Sequence, residues 1–183
     1  MEAVNKNILL DNLESLVESH LQTAIQRFQN LSAATLLQPS PTGGWSIAQC
    51  LQHLNTYGHY YLPQIKTGLA LNAGKAASAT FTSTWLGRYF TRTMDPATNQ
   101  KKYKAFKNYS PPPNLDAYAV VAEFIQQQEE LIGYLRSART ADLNTIKIPV
   151  SIAKWLKLHL GDVLQFVIAH NQRHLLQAQR NLI

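Results

Sequence analysis

His159-Leu160-Gly161-Asp162-Val163-Leu164-Gln165-Phe166-Val167-Ile168-Ala169-His170-Asn171-Gln172-Arg173-His174-Leu175 is the stretch from which the fold is read. Val163, Leu164, Val167, Ile168 and Leu175 recur at three- and four-residue intervals, and Ala178 and Leu182 continue the stripe. That period predicts one amphipathic helix from about residue 160 to residue 182. Residues four apart on a helix share a face, so His170 and His174 stand one above the other. Two neutral imidazoles at that spacing can share one divalent cation, and a third from elsewhere would complete a site with an open position. His53 is the candidate third ligand.

Working outward, three more helices are predicted. Leu9, Leu13, Leu16, Val17, Leu21, Ala24, Ile25, Phe28 and Leu31 keep a helical period, which predicts a helix over roughly residues 5 to 37, ended by Pro39 and Pro41. Gly43-Gly44 turns the chain, and Ser46 with Gln49 forms a capping-box pattern that starts a second helix sharply, with Trp45 placed to staple onto Cys50. Ile47, Leu51, Leu54, Leu62 and Ile65 carry it past Pro63, where a kink is expected. In this helix His53 lies one turn after Gln49 and one before Tyr57, both able to bond its second ring nitrogen. Asn114 or Asp116 caps a third helix with the stripe Ala117, Val121, Phe124, Leu131 and Leu135. Gln128 interrupts that stripe and needs a polar partner, on a neighbouring helix or in the pocket.

Residues 72 to 114 show no sustained period and contain Gly74, Gly87, Pro96 and Pro111-Pro112-Pro113. They read as a long connection, with a short helix near Thr84 to Thr93 because Trp85, Leu86, Tyr89 and Phe90 fall at helical spacing. Ile148 to Leu158 reads as a connector. With no convincing strand, the class is all-α: a single four-helix bundle over residues 1–183, the kind of fold that builds metal sites in its core from facing helices.

Composition limits the function classes. The single cysteine, Cys50, cannot form an internal disulfide, and it reads as a small packed hydrophobe rather than a nucleophile. No apolar run reaches the roughly 18 residues a membrane span requires. The segment from Met1 to Ser15 carries Glu2, Asp11 and Glu14 without the basic start and apolar stretch of a signal peptide, so a cytoplasmic protein is expected. The net charge of +6 is uneven: Arg88, Arg92, Lys101, Lys102, Lys104 and Lys107 stand against Asp95 alone. A solvated rim that attracts anions is favoured over a nucleic-acid arm, although Tyr103, Phe106 and Tyr109 are interleaved there.

The motif His-Asn-Gln-Arg-His lacks the glutamate of the zinc-peptidase pattern His-Glu-x-x-His, and Asn171 takes up no proton at neutral pH. A peptidase of that type is therefore disfavoured. Asp162, two turns earlier, is expected to cap the last helix rather than serve as a distant base. Arg173 is expected to face outward as an ion-pair or interface residue, and His20, His59 and His159 are read as structural or solvated.

Gly44-Trp45-Ser46-Ile47-Ala48-Gln49-Cys50-Leu51-Gln52-His53-Leu54 and the segment from Leu160-Gly161-Asp162 to His170-Asn171-Gln172-Arg173-His174-Leu175 resemble, in order and separation, the two signature segments of the DinB-like superfamily, which includes the YfiT-like metal-dependent hydrolases. Ser110-Pro111 through Asn114-Leu115-Asp116, and Asp142-Leu143-Asn144, resemble the flanks of that family's third helix. The resemblance implies a bundle with a long crossover and a divalent metal, zinc or nickel, on His53, His170 and His174. It also implies a small-molecule substrate, in some members with a low-molecular-weight thiol as cosubstrate. Hydrolase and thiol-dependent S-transferase both remain open, as does a non-catalytic metal- or ligand-binding bundle, because fold and ligand set do not choose among them. A homodimer is a further expectation.

Overall fold

The protein is described from a computed structural model over residues 2–41, 43–101 and 103–182. Met1 of the N-terminal stretch and Lys102 of the basic stretch lie outside the described residues. The described helices are α1 (Lys6–Thr23), α2 (Ala33–Leu37), α3 (Ile47–Leu71), α4 (Trp85–Met94), α5 (Ala117–Ala138) and α6 (Leu160–Gln179). Two short antiparallel pairs accompany them: β1 (Val4–Asn5) with β2 (Thr80–Phe81), and β3 (Lys147–Val150) with β4 (Ala153–His159). No helix among the described residues is long and apolar enough to cross a membrane.

The four long helices α1, α3, α5 and α6 form the bundle, each packed on two others in the ring order α1, α5, α3, α6. Cross-helix partners set the directions. Asn55 on α3 meets Val120 on α5, and Gly58, one turn further along α3, faces Gln127, two turns further along α5, so these neighbours run parallel. His53 meets His174, and Tyr61 meets Phe166, so α3 and α6 run antiparallel. Arg136 and Arg139 of α5 reach back to Glu14 and Asp11 of α1, which makes that pair antiparallel too.

Parallel neighbours cannot be joined by a tight turn, and this is the physical reason for the long crossover between α3 and α5. The crossover returns along α6 and is fastened to it at three levels. Asp162 holds Ser83 and Thr84, Phe166 packs against Phe90, and Arg173 holds the carbonyls of Asn99 and Lys101. Gly161 and Gly87 permit the close approach: a Cβ at Gly161 would lie 2.5 Å from the Phe81 ring, and one at Gly87 would lie 2.0 Å from Asp162 Cγ.

The element starts follow the sequence chemistry. Ser46 Oγ accepts from Gln49 N at 3.2 Å while Gln49 Oε1 accepts from Ser46 N at 3.0 Å, completing the expected capping box. Gly43, with φ 74°, supplies the left-handed turn just before it. Asp116 Oδ1 accepts from Tyr118 N and Ala119 N at 3.1 Å and caps α5, an arrangement worth about 1 kcal/mol. α3 carries Pro63 inside it without interruption.

Two predicted segments differ in the structure. The single helix over residues 5 to 37 is three pieces: α1, a wide π-helical turn at Ala24–Phe28, and the short α2 capped by Ser32. Periodicity survives such a break because Ala24, Phe28 and Leu36 all still point into the core. The connector at 148–158 is instead the β3–β4 hairpin, pairing Ile148 with Leu158 and shifting register beyond Pro149. Its alternation of buried Ile148 and Val150 with exposed Lys147 is only a few residues long and is interrupted by a proline, which a two-stranded edge tolerates.

Among the described residues the core is two apolar clusters rather than one. Around α3 they are centred on Tyr61, Leu62 and Ile65 toward one end, and on Ile47, Leu51 and Leu54 toward the other. A polar layer crosses the bundle between them. His20 Nε2 donates to Gln172 Oε1 at 2.7 Å, Asn171 Nδ2 to Gln128 Oε1 at 3.1 Å, and Gln127 Nε2 to the Asn55 carbonyl at 3.2 Å. Gln128 thus finds its partner on α6, the helix diagonally across the ring.

Candidate metal centre

His53, His170 and His174 converge where α3 faces α6, in this polar layer. Their candidate ligand atoms all lie within 4.8 Å of one another, and among the described residues no carboxylate or thiol joins the group. His53 Nε2 and His170 Nε2 are 3.2 Å apart. Neighbouring ligand atoms on a tetrahedral zinc, with bonds of about 2.0–2.1 Å, stand roughly 3.3 Å apart, so this spacing fits one shared ion.

The hydrogen bonds behind the rings favour the same use. His53 Nδ1 donates to the Tyr109 carbonyl at 2.7 Å, and His174 Nδ1 donates to Gln177 Oε1 at 2.9 Å. Each bond fixes a tautomer with the lone pair on Nε2, the state a metal requires. Gln49 and Tyr57 do not take the roles expected of them. The Gln49 side chain is engaged in the cap, and Tyr57 lies ring against ring with His53 at 5.1 Å and His170 at 4.4 Å.

Electrostatics keep the rings neutral. Burial drives the basicity of His53 down, the Tyr109 carbonyl opposing it. Burial, then the neighbouring His53, lowers His174 to about 3, and fully buried His170 falls well below its ordinary value through desolvation and the two other imidazoles. Neutral imidazole is the ligand form.

Aromatic side chains wall the triad. Trp45 lies 5.7 Å from His174 in a stacked arrangement and 4.8 Å from His53, Phe166 stacks on His170 at 5.9 Å, and Tyr109 packs on Tyr57 at 4.5 Å. Sequence reading assigned Trp45 only to the helix start and missed Tyr109 and Gln177 as supports. Gln177 could have been found, three residues after His174 on the same helix face. Tyr109 lies in the aperiodic crossover and acts through its backbone, which leaves no signal in residue type.

The other singled-out residues fall elsewhere. Asp162 does not cap α6. It sits within the first turn, fully buried, and accepts from Ser83 Oγ at 2.5 Å, Thr84 Oγ1 at 2.7 Å and Thr84 N at 3.2 Å, so it anchors the start of α4. Among the described residues Arg173 forms no ion pair; it holds the Asn99 carbonyl at 2.8 Å, bonds the Lys101 carbonyl and sits 5.6 Å from the Tyr103 ring centroid. His20 is buried and lowered to about 4 by desolvation, with Gln172 opposing the shift. His59 is exposed and paired with Glu123, and His159 stands at the start of α6. Burial pushes the Cys50 thiol up to about 12, consistent with a packed residue.

The sequence profile of the DinB superfamily matches residues 16–178. The chain belongs to the DinB superfamily. Among solved structures, this DinB-superfamily chain is similar to YfiT from Bacillus subtilis, described as a probable metal-dependent hydrolase with an unusual four-helix bundle topology. The likeness has a TM-score of 0.53 at 14% identity and covers 96% of this chain and 85% of that one, which shows a shared fold. No curated protein matches the sequence significantly.

Proposed function

We propose that this chain is a metal-dependent enzyme acting on a small molecule, with His53, His170 and His174 as ligands to one divalent ion, zinc or nickel. One observation carries the reading: three desolvated, neutral imidazoles converge with the Nδ1 atoms of two of them already spent on fixed acceptors. The description of YfiT as a probable metal-dependent hydrolase supports it. Held there, such an ion would supply Lewis acidity, polarising an oxygen or easing loss of a proton from a nucleophile.

The chain's own residues define the rest. Tyr109 and Gln177 hold His53 and His174 in the ligating tautomer. Trp45, Tyr57 and Phe166 give the reacting group an apolar wall on several sides and restrict water. Asn171 and Arg173, between two of the ligands, are occupied with Gln128 and the crossover carbonyls. No protein base touches the triad among the described residues. A thiol, with a pKa near 8.5, ionises far more readily than water at about 15.7. The base-free surroundings therefore favour thiol-dependent S-transfer, with hydrolysis as the second reading.

Elemental analysis of purified protein beside a His53→Ala, His170→Ala, His174→Ala variant tests the site. Near-stoichiometric metal is expected in the native chain alone, and its absence from both after incubation with zinc and nickel overturns the reading. Assays of a small thiol with an electrophile, and of a nitrophenyl ester without thiol, then separate the reactions. Thiol-dependent turnover lost in His170→Ala supports transfer, whereas ester cleavage without thiol selects hydrolysis. A folded, metal-loaded chain inactive in both, and losing thermal stability on chelation, would make the site structural.

A further inference from the structure

A cavity of about 670 Å³ opens between α3, the end of the crossover and the turn joining β3 to β4. It adjoins the histidine triad through two connections. Tyr109 lines it, and the same residue's carbonyl holds His53. Thr56 and Tyr60 of α3 also line it, and they continue the helix stripe that begins with His53. At 1.5 Å per residue, those two positions lie roughly 5 and 10 Å along the helix axis from His53.

The charge in this cavity is one-sided. Lys107 enters from the crossover and Lys154 from the hairpin. Among the described residues the ion pairs are those of His59 with Glu123 and of Arg136 and Arg139 with Glu14, Glu18 and Asp11, so neither lysine has a carboxylate partner. Glu123, the acid bonded to cavity-lining His59, also accepts from the Asn55 amide. Tyr60, Phe106 and Ile152 supply apolar wall to the same cavity. Concave sites of this size, mostly apolar with a few convergent polar groups, are where small ligands bind.

We propose that this cavity is the specificity subsite for an elongated small molecule with an anionic end group: the carboxylate meets Lys107 and Lys154 while the apolar body lies on Tyr60, Phe106 and Ile152. The inference rests on the metal-site reading for where the other end of the molecule reacts, but not for the anion preference itself. The two lysines need no ion at the triad to discriminate a carboxylate from an alcohol.

The test uses hexanoate and octanoate beside hexanol and octanol, titrated by NMR into the metal-free, isotope-labelled full chain. The carboxylates are expected to bind at least about fivefold more tightly than the alcohols, with shifts at the Tyr60, Asn108 and Ser151 amides. A Lys107→Met, Lys154→Met variant is expected to lose that preference while keeping the alcohol affinity; both lysines are exposed, so the variant folds. Absence of a preference, a preference that survives the double substitution, or shifts confined to another surface overturns the proposal. A second arm loads the protein with cobalt(II) and follows its visible spectrum as 6-mercaptohexanoate or 6-mercaptohexanol is added. Tighter spectral titration by the acid, abolished in the double variant, is expected. If cobalt fails to bind while the carboxylate preference persists, the metal reading falls and the subsite stands.

Discussion

Replacing Asp162 should detach the start of the crossover from α6 and destabilise the protein by about 3 kcal/mol. The carboxylate is fully buried and satisfies two hydroxyls and one backbone N–H, at 2.5, 2.7 and 3.2 Å. In Asp162→Ala both hydroxyls can turn to other acceptors, but the Thr84 N–H cannot. Leaving a buried donor unsatisfied costs about 1–3 kcal/mol, and the lost charge-assisted bonds add a comparable amount. Asp162→Asn keeps the shape and one accepting oxygen, so about 1 kcal/mol is expected. Gly87→Ala attacks the same contact from the other side, because its Cβ would stand 2.0 Å from Asp162 Cγ on a backbone that cannot turn away. The two changes must therefore couple. In the Asp162→Ala background the added methyl meets no carboxylate, and its cost should vanish or reverse, since alanine favours a helix by up to about 1 kcal/mol over glycine. Urea unfolding of the four proteins of this cycle measures the coupling, and hydrogen exchange across residues 84–94 locates it. Additive costs, or an Asp162→Ala protein within a few tenths of a kcal/mol of the native one, would refute the reasoning.

His20 supplies a pH test. Burial lowers its pKa to about 4 from the ordinary 6.5, so the unfolded chain takes up the proton first; stability is full above about pH 6.5 and falls by about 3 kcal/mol on acidification to about pH 4. His20→Phe should flatten the stability-against-pH curve by that amount, and an unchanged slope would count against it. Arg173→Met should release the crossover from α6, raising hydrogen exchange at Ala97, Asn99 and Tyr103 by tenfold or more while α5 keeps its protection. The Cys50 thiol, with its pKa up at about 12, should resist a disulfide reagent in the native state and react stoichiometrically after unfolding.

The sequence revealed what depends on helical period and capping chemistry. The stripe through Val163, Leu164, Val167 and Ile168 located α6, the Ser46–Gln49 box located the start of α3, and the four-residue spacing of His170 and His174 located two of the triad's three histidines. Features governed by tertiary packing were hidden. Asp162 looked like a cap because of its place in the first turn of α6, yet a strand-like segment at Ser83–Thr84 supplied better donors than the helix's own amides. Arg173 looked like an ion-pair residue because side-chain charge is visible in sequence and loop carbonyls are not. The π-helical turn at Ala24–Phe28 and the β3–β4 hairpin escaped for a related reason. Neither changes which residues are buried, and burial is what the apolar pattern encodes.

The placement of the triad separates it from the histidines that merely serve the fold. A bundle with two apolar clusters must bridge the gap between them, and here the bridge is hydrogen-bonded amides and His20. His20 meets the cost of burial as a structural group does, with one nitrogen on Gln172 and the other, Nδ1, sealed from solvent without a partner. His159 likewise has a sealed Nδ1. No triad nitrogen is among those sealed, unpartnered atoms in the described residues. Each is either hydrogen-bonded or reachable from solvent, although burial holds all three rings neutral. His53 and His170 face each other through Nε2 at 3.2 Å, and His53 and His174 have Nδ1 on fixed acceptors, whereas His20 leaves a nitrogen sealed without a partner. Three nitrogen donors held in this way fit the ligand set proposed above, and the bond from His53 to the Tyr109 carbonyl ties the triad to a residue that also lines the cationic cavity.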